Sequence, residues 1–197
     1  MGALGQRYRA VVIGTSAGGT AALAQLLPML PATFSLPVVI VQHIHPLQAS
    51  PAIVYYHRQC HLVIEEAALG GVVEPGRVYF APPNYHLLIE DDRTFSLSVD
   101  VKVNYARPSI DVLFESAADA YGRHLIGVIL TGANNDGARG LRRIKEHGGL
   151  AVVQEPDTAE VSYMPRAAID AVSVDYVLPP PEIGALLAAQ SVLEDVV

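Results

Sequence analysis

Two short apolar runs, Tyr8–Gly14 and Leu36–Gln42, are separated by a glycine-rich turn and an alanine-rich stretch, and this order constrains the fold more than any other feature of the chain. Both runs are continuously apolar, as in strands buried on both faces, and Gly19–Leu30 between them has the spacing of an amphipathic helix. Strand, helix and strand in that order make a βαβ unit with parallel strands. Ser50-Pro51 predicts a helix over Pro51–Gln59, with serine as cap and proline in the first turn. Further along, helices are expected at Ser109–Tyr121, Asp136–His147, Pro165–Ala171 and from Pro181, with strands at His124–Leu130, Leu150–Gln154 and Tyr176–Leu178. The middle third differs. Its short runs His61–Glu65, Arg77–Ala81, Tyr85–Glu90 and Thr94–Val99 are broken by Glu74-Pro75-Gly76, Pro82-Pro83-Asn84 and Asp91-Asp92-Arg93, which predicts antiparallel hairpins at one side. The expected fold is α/β: a doubly wound, mainly parallel sheet with helices on both faces and a small antiparallel hairpin addition, as one domain over residues 1–197.

The first strand runs into Gly14-Thr15-Ser16-Ala17-Gly18-Gly19. Such a turn suits three roles: a phosphate cradle, a helix cap, or a sharp bend that exposes a serine nucleophile. In open parallel sheets functional residues gather at the carboxyl ends of the strands. Ser16 follows the first strand, His43 the second, and Asp136 follows His124–Leu130 through Thr131-Gly132-Ala133-Asn134-Asn135. Serine is a weak nucleophile at neutral pH, so it needs an imidazole to take its proton and a carboxylate to orient that imidazole. These three residues supply all three roles. Simpler readings stand beside this one: His43 as a hydrogen-bonded strand-end histidine, and Asp136 as a helix N-cap.

Other chemistries fit less well. His43-x-His45 and His57-x-x-x-His61 bring imidazoles close in sequence, but His61 is expected to start a strand and no carboxylate completes a metal-ligand spacing. No cofactor is expected. The second strand ends in Gln42-His43 rather than a ribose-binding acid, and the first turn lacks a Walker lysine. A formal charge of −7 argues against general nucleic-acid binding. The apolar runs are too short for membrane insertion, and no targeting segment is visible at the N-terminus. The single cysteine, Cys60, suits a reducing cytosol, so a cytoplasmic location is expected.

With these residues assembled, the sequence resembles the catalytic domain of the chemotaxis protein-glutamate methylesterases, the CheB family. The resemblance rests on Ile13–Gly19, Gln42-His43, Gly76–Tyr79 with Ala81-Pro82, Arg107–Phe114, Gly127–Gly132, Asn135–Ala138 and Met164–Ala168. It implies a Ser-His-Asp triad at Ser16, His43 and Asp136, acting on glutamate γ-methyl esters of methylated chemoreceptor cytoplasmic helices and also on glutamine side chains. Backbone N–H groups at Ala17 or in the Gly132–Ala133 turn are expected to hold the oxyanion. Ala17 stands where the family usually has threonine, and Gly132-Ala133-Asn134 where it usually has Gly-Met-Gly. Family members typically carry an N-terminal receiver domain. Here the first strand begins by Tyr8, so the chain is expected to be a stand-alone member, controlled by a separate receiver or other chemosensory protein or constitutively active, or else a fragment. Arg139, Arg142, Arg143 and Lys145 read as a solvated helix face, with Arg139 a candidate for docking an acidic receptor helix. A non-catalytic binding or scaffold module in a chemosensory complex is the alternative function.

Overall fold

The computed structural model describes residues 8–43 and 54–191. Its centre is a seven-stranded sheet made of β1 (Ala10–Thr15), β2 (Val38–Gln42), β3 (Val63–Glu66), β4 (Arg77–Phe80), β7 (Leu125–Ile129), β8 (Leu150–Gln154) and β9 (Tyr176–Leu178), in the order β3-β4-β2-β1-β7-β8-β9. Every pairing in it is parallel. β5 (His86–Ile89) and β6 (Phe95–Ser98) form a separate antiparallel hairpin. The helices are α1 (Gly19–Leu26), α2 (Ile110–Tyr121), α3 (Ala138–Glu146), α4 (Tyr163–Ala171) and α5 (Pro180–Gln190).

Alternate residues of the central strands face opposite cores, because strand side chains have a period of two. Val11 and Ile13 of β1 pack with Leu23 and Leu26 of α1 and Ile183 and Leu187 of α5. Ala10 and Val12 face the other way, toward Leu113 and Phe114 of α2, Leu141 and Ile144 of α3, and Met164 of α4. Burying an aliphatic side chain contributes about 1.5–3 kcal/mol, so a strand apolar on both faces is driven to the middle of the sheet. This is the doubly wound α/β fold with a small antiparallel addition.

The middle third departs from expectation. β3 and β4 are not hairpin strands; they pair in parallel with each other, Ile64 opposite Val78, and β4 pairs in parallel with β2, Val39 opposite Tyr79. Only the runs at β5 and β6 form the antiparallel unit. Short runs bounded by Pro-Gly signals look alike whether the chain reverses locally or crosses over. Burial on both faces decides, since Val78 and Phe80 join one core while Tyr79 joins the other. Residues 54–57 are helical, β3 starts at Val63 rather than His61, and the start of the helix expected over Pro51–Gln59 lies outside the described residues.

The chain enters at β1, builds outward through β2 to β3 and β4, then returns to place β7 on the opposite side of β1. This reversal leaves a crevice beyond the carboxyl ends of the strands beside β1.

Candidate active site at the carboxyl ends of the sheet

Ser16 is the first residue beyond β1. Its backbone N–H donates to Thr131 O at 2.9 Å, and Thr15 Oγ1 donates to the same carbonyl at 2.9 Å. Thr131 Oγ1 in turn donates to Ala17 O at 2.8 Å, while the Thr131 N–H is held by Gln154 Oε1 at 2.8 Å. The serine turn is thereby fastened to the ends of β7 and β8. α1 begins behind Gly18, in left-handed conformation at φ 79°, with no side-chain cap, so Ser16 does not serve as a helix cap. The N–H groups of Ser16 and Gly132 are both taken, the latter by Val161 O at 3.1 Å. Those of Ala17 and Ala133 have no hydrogen-bond partner among the described residues.

His43 follows β2, its N–H donating to Thr15 O at 2.9 Å. Its Nε2 lies 3.0 Å from Asp136 Oδ2, a close contact that is off the N–H axis and so not an aligned hydrogen bond. Such bonds are commonly loose before substrate binds. Asp136 is completely buried. Its Oδ1 accepts from Ser109 Oγ at 2.8 Å, Asn104 Nδ2 at 3.0 Å and the Asp111 N–H at 3.2 Å, and its Oδ2 from the Ile110 N–H at 2.7 Å. Burial by itself pushes this carboxyl up, but His43, Asn104 and the Ile110 N–H together hold it below the ordinary carboxylate value. The simple N-cap reading of Asp136 does not hold: Gly137 occupies the N-cap of α3, and Asp136 points instead at the start of α2.

Ser16 and His43 line a common cavity of about 460 Å³ with Asn104 and Asn134. A second, of about 520 Å³, shares Ser16, Gln42 and His43 and continues to Thr20 and Glu160. No hydrogen bond joins Ser16 to His43 among the described residues. Arg139 borders neither cavity; its guanidinium donates to Glu115, with Nε to Oε1 at 2.5 Å. Arg143 and Lys145 are likewise paired, with Asp119 and Asp175. No group of three or more metal-ligating side chains occurs among the described residues, and His45 lies outside them.

Sequence reasoning did not single out Asn104, Ser109 and Asp111, although all three hold Asp136. A serine and an aspartate bracketing a helix start are a visible signal, but in sequence they read as local caps. Only the fold brings residue 136 to them. Behind Ser109, His86 accepts the Ser109 N–H at Nδ1, 3.2 Å away, and its Nε2 faces Val101 O at 3.1 Å.

Fold and site together define a doubly wound α/β protein with serine, histidine and aspartate gathered at the carboxyl rim of its sheet. The CheB methylesterase family model matches residues 11–187, and the chain belongs to that family. A Leptospira interrogans protein provisionally named protein-glutamate methylesterase/protein-glutamine glutaminase is 57% identical over 171 residues, covering 87% of this chain and 89% of its own. The protein-glutamate methylesterase/protein-glutamine glutaminase of Moorella thermoacetica is 40% identical over 91% of this chain but only 43% of its own length. The crystal structure of the Thermotoga maritima CheB methylesterase catalytic domain superposes with a TM-score of 0.90 at 35% identity, covering 92% of this chain and 98% of that one. Among the described residues no helix is long and apolar enough to cross a membrane.

Proposed function

We propose that this protein is a serine hydrolase that removes methyl groups from glutamate γ-methyl esters on chemoreceptor cytoplasmic helices, with Ser16, His43 and Asp136 as its triad, and that it also deamidates glutamine side chains. The observation that carries this reading is the approach of His43 Nε2 to the buried Asp136 carboxylate at 3.0 Å, with Ser16 and His43 in the wall of one cavity. Nε2 is turned to Asp136, so Nδ1 is the nitrogen left to exchange a proton with Ser16. In the first step Ser16 Oγ bonds to the ester carbonyl carbon and its proton passes to His43. Asp136, kept ionised by its surrounding donors, stabilises the resulting imidazolium. The negative charge on the carbonyl oxygen is met by the N–H groups of Ala17 and Ala133, which have no partner among the described residues.

Collapse of that intermediate breaks the bond to the methoxy oxygen, and His43 returns the proton so that methanol leaves. Water then attacks the acyl-enzyme with His43 as base, and glutamate is released with Ser16 restored. For glutamine the leaving group is ammonia. Relatives named for both activities support the pairing of ester and amide substrates.

A fluorophosphonate probe tests the nucleophile, and methanol release from methylated receptor tests the reaction. Labelling is expected in the wild type and absent in Ser16→Ala, and methanol release is expected to collapse in His43→Ala and Asp136→Asn. Folded wild-type protein that neither labels nor releases methanol would instead be a binding module in a chemosensory complex.

A further inference from the structure

We propose that the tight turn at residues 102–106 is the substrate-recognition element of this site, selecting an acidic polypeptide segment through Lys102 and seating it against Tyr105. This rests on the hydrolase reading above and adds to it the means by which a protein substrate is chosen.

The turn is rigid. Val103 and Ala106 exchange both backbone hydrogen bonds, at 3.1 and 2.9 Å, and the two residues between them, Asn104 and Tyr105, are left-handed at φ 50° and 64°. Two consecutive positive φ values define the hairpin turn that asparagine and glycine favour; tyrosine is an uncommon occupant and must be held there. Asn104 holds it, since its Nδ2 reaches both Asp111 Oδ2 at 2.9 Å and Asp136 Oδ1 at 3.0 Å. Arg107 clamps the foot of the turn through Nη1 bonds to Val99 O at 2.6 Å and Asp100 O at 2.9 Å. A side chain presented here therefore has a defined position relative to Asp136, the carboxylate that faces His43.

What the turn presents is unexplained by folding. Tyr105 is 97% exposed, and Val101, just before the turn in sequence, is 84% exposed. Lys102 and Tyr105 both border the cavity shared by Ser16 and His43. None of the residues lining that cavity is acidic, although the chain carries a formal charge of −7. Lys102 has no ion pair among the described residues, in contrast to the paired Arg139, Arg143 and Lys145 of α3. Glu160 lines the second cavity, which shares Ser16 and His43 but not Lys102 or Tyr105, so the attraction is one-sided and also orients the bound segment. A γ-methyl ester or a glutamine amide is neutral, so a charge-based preference must come from carboxylates flanking the reacting side chain.

The test uses the full chain with Ser16→Ala, which binds without turnover. Fluorescence anisotropy at low salt compares a labelled peptide bearing one glutamate γ-methyl ester flanked by glutamates with the same peptide flanked by glutamines. The acidic peptide is expected to bind about fivefold more tightly, the upper range for one exposed ion pair. Lys102→Gln is expected to reduce the preference to the small share supplied by Arg107, the other cation in the cavity wall, and Lys102→Glu to invert it. Tyr105→Asn, which keeps the left-handed turn, is expected to weaken both peptides alike. A wild-type-like preference in Lys102→Gln, or none in the parent, overturns the proposal. Either result leaves Ser16 labelling untouched. Conversely, a Lys102-dependent preference in Ser16→Ala, together with folded wild-type protein that does not label at Ser16, upholds recognition and sinks the hydrolase reading.

Discussion

Asp111 and Asp136 cap each other's neighbouring helices. Asp136 receives the Ile110 and Asp111 N–H groups at the start of α2, while Asp111 Oδ1 receives the Gly137 and Gly140 N–H groups at the start of α3, at 3.0 and 2.7 Å. Asn104 bridges the two carboxylates. The arrangement splits their acidities. Asp111 is pushed up, by burial first and also by the nearby charge of Asp136, while Asp136 is held down. The carboxylate that faces His43 is the one held below the ordinary carboxylate value.

Asp136→Asn replaces an acceptor with an amide whose NH₂ must face donors, because Ser109 Oγ, Asn104 Nδ2 and two backbone N–H groups already surround the carboxylate. Loss of the ionised partner of His43 is expected to lower methanol release about 10³–10⁴-fold. The unsatisfied donors are expected to cost about 3–5 kcal/mol of stability, read by urea denaturation.

Ser109→Ala removes the hydroxyl that donates to Asp136 Oδ1 at 2.8 Å. The remaining donors keep the carboxylate ionised, so the expected loss is about 1–2 kcal/mol in urea denaturation. A fall in kcat is expected with little change in KM, since Ser109 does not border the cavity. Steady-state kinetics on a methylated peptide measure the split.

Acid stability separates the two aspartates. Asp136 has a folded pKa below its unfolded value of about 3.9, so its contribution is complete above that pH and is lost as pH falls through the folded pKa. Asp111 is raised, so its protonation favours the folded state as pH falls through its folded pKa toward about 3.9. Urea denaturation followed from about pH 6 down to about pH 3 is expected to show a shallower acid loss in Asp136→Asn than in the wild type. In Asp111→Asn the gain in stability on approaching pH ~4 is expected to disappear.

Gly132 lies against the serine turn. A Cβ there would meet Met164 Cε at 2.5 Å and Ser16 Cβ at 3.0 Å. The thioether end of Met164 is flexible enough to move, but Ser16 is pinned through Thr131. Gly132→Ala is therefore expected to cost about 1–3 kcal/mol in thermal or urea melts, and to lower kcat/KM by a larger factor than a comparable core substitution such as Ile144→Val. Equal activity loss in the two variants would show that the serine position tolerates the shift.

Much of the fold was legible because its signals are local. Continuous apolar runs flanked by helical periodicity marked β1, β2, β7 and β8 to within a residue or two. β3 and β4 were misread as hairpin strands, because parallel and antiparallel neighbours carry the same short apolar pattern when turn residues bound them. Ser16, His43 and Asp136 could be picked out for one reason: each follows a strand, and all the strands of a parallel sheet point their carboxyl ends to one rim. Asn104, Ser109 and Asp111 gave no such signal. Their partners lie 7 to 32 positions away and meet them only through the packing of α2 on α3.

Residue order alone determined the layered α/β architecture and which residues fall at its carboxyl rim, since both follow from hydrophobic period and chain direction. Tertiary structure decided the rest. It placed Asp136 in a cage of donors rather than on its own helix, tied Arg139 to Glu115, and left Lys102, with no ion pair among the described residues, in the wall of the cavity that Ser16 also lines. These outcomes depend on distances between groups remote in sequence. The energy of a buried carboxylate or a surface cation is set by the few ångströms around it, and those are not written in its neighbours along the chain.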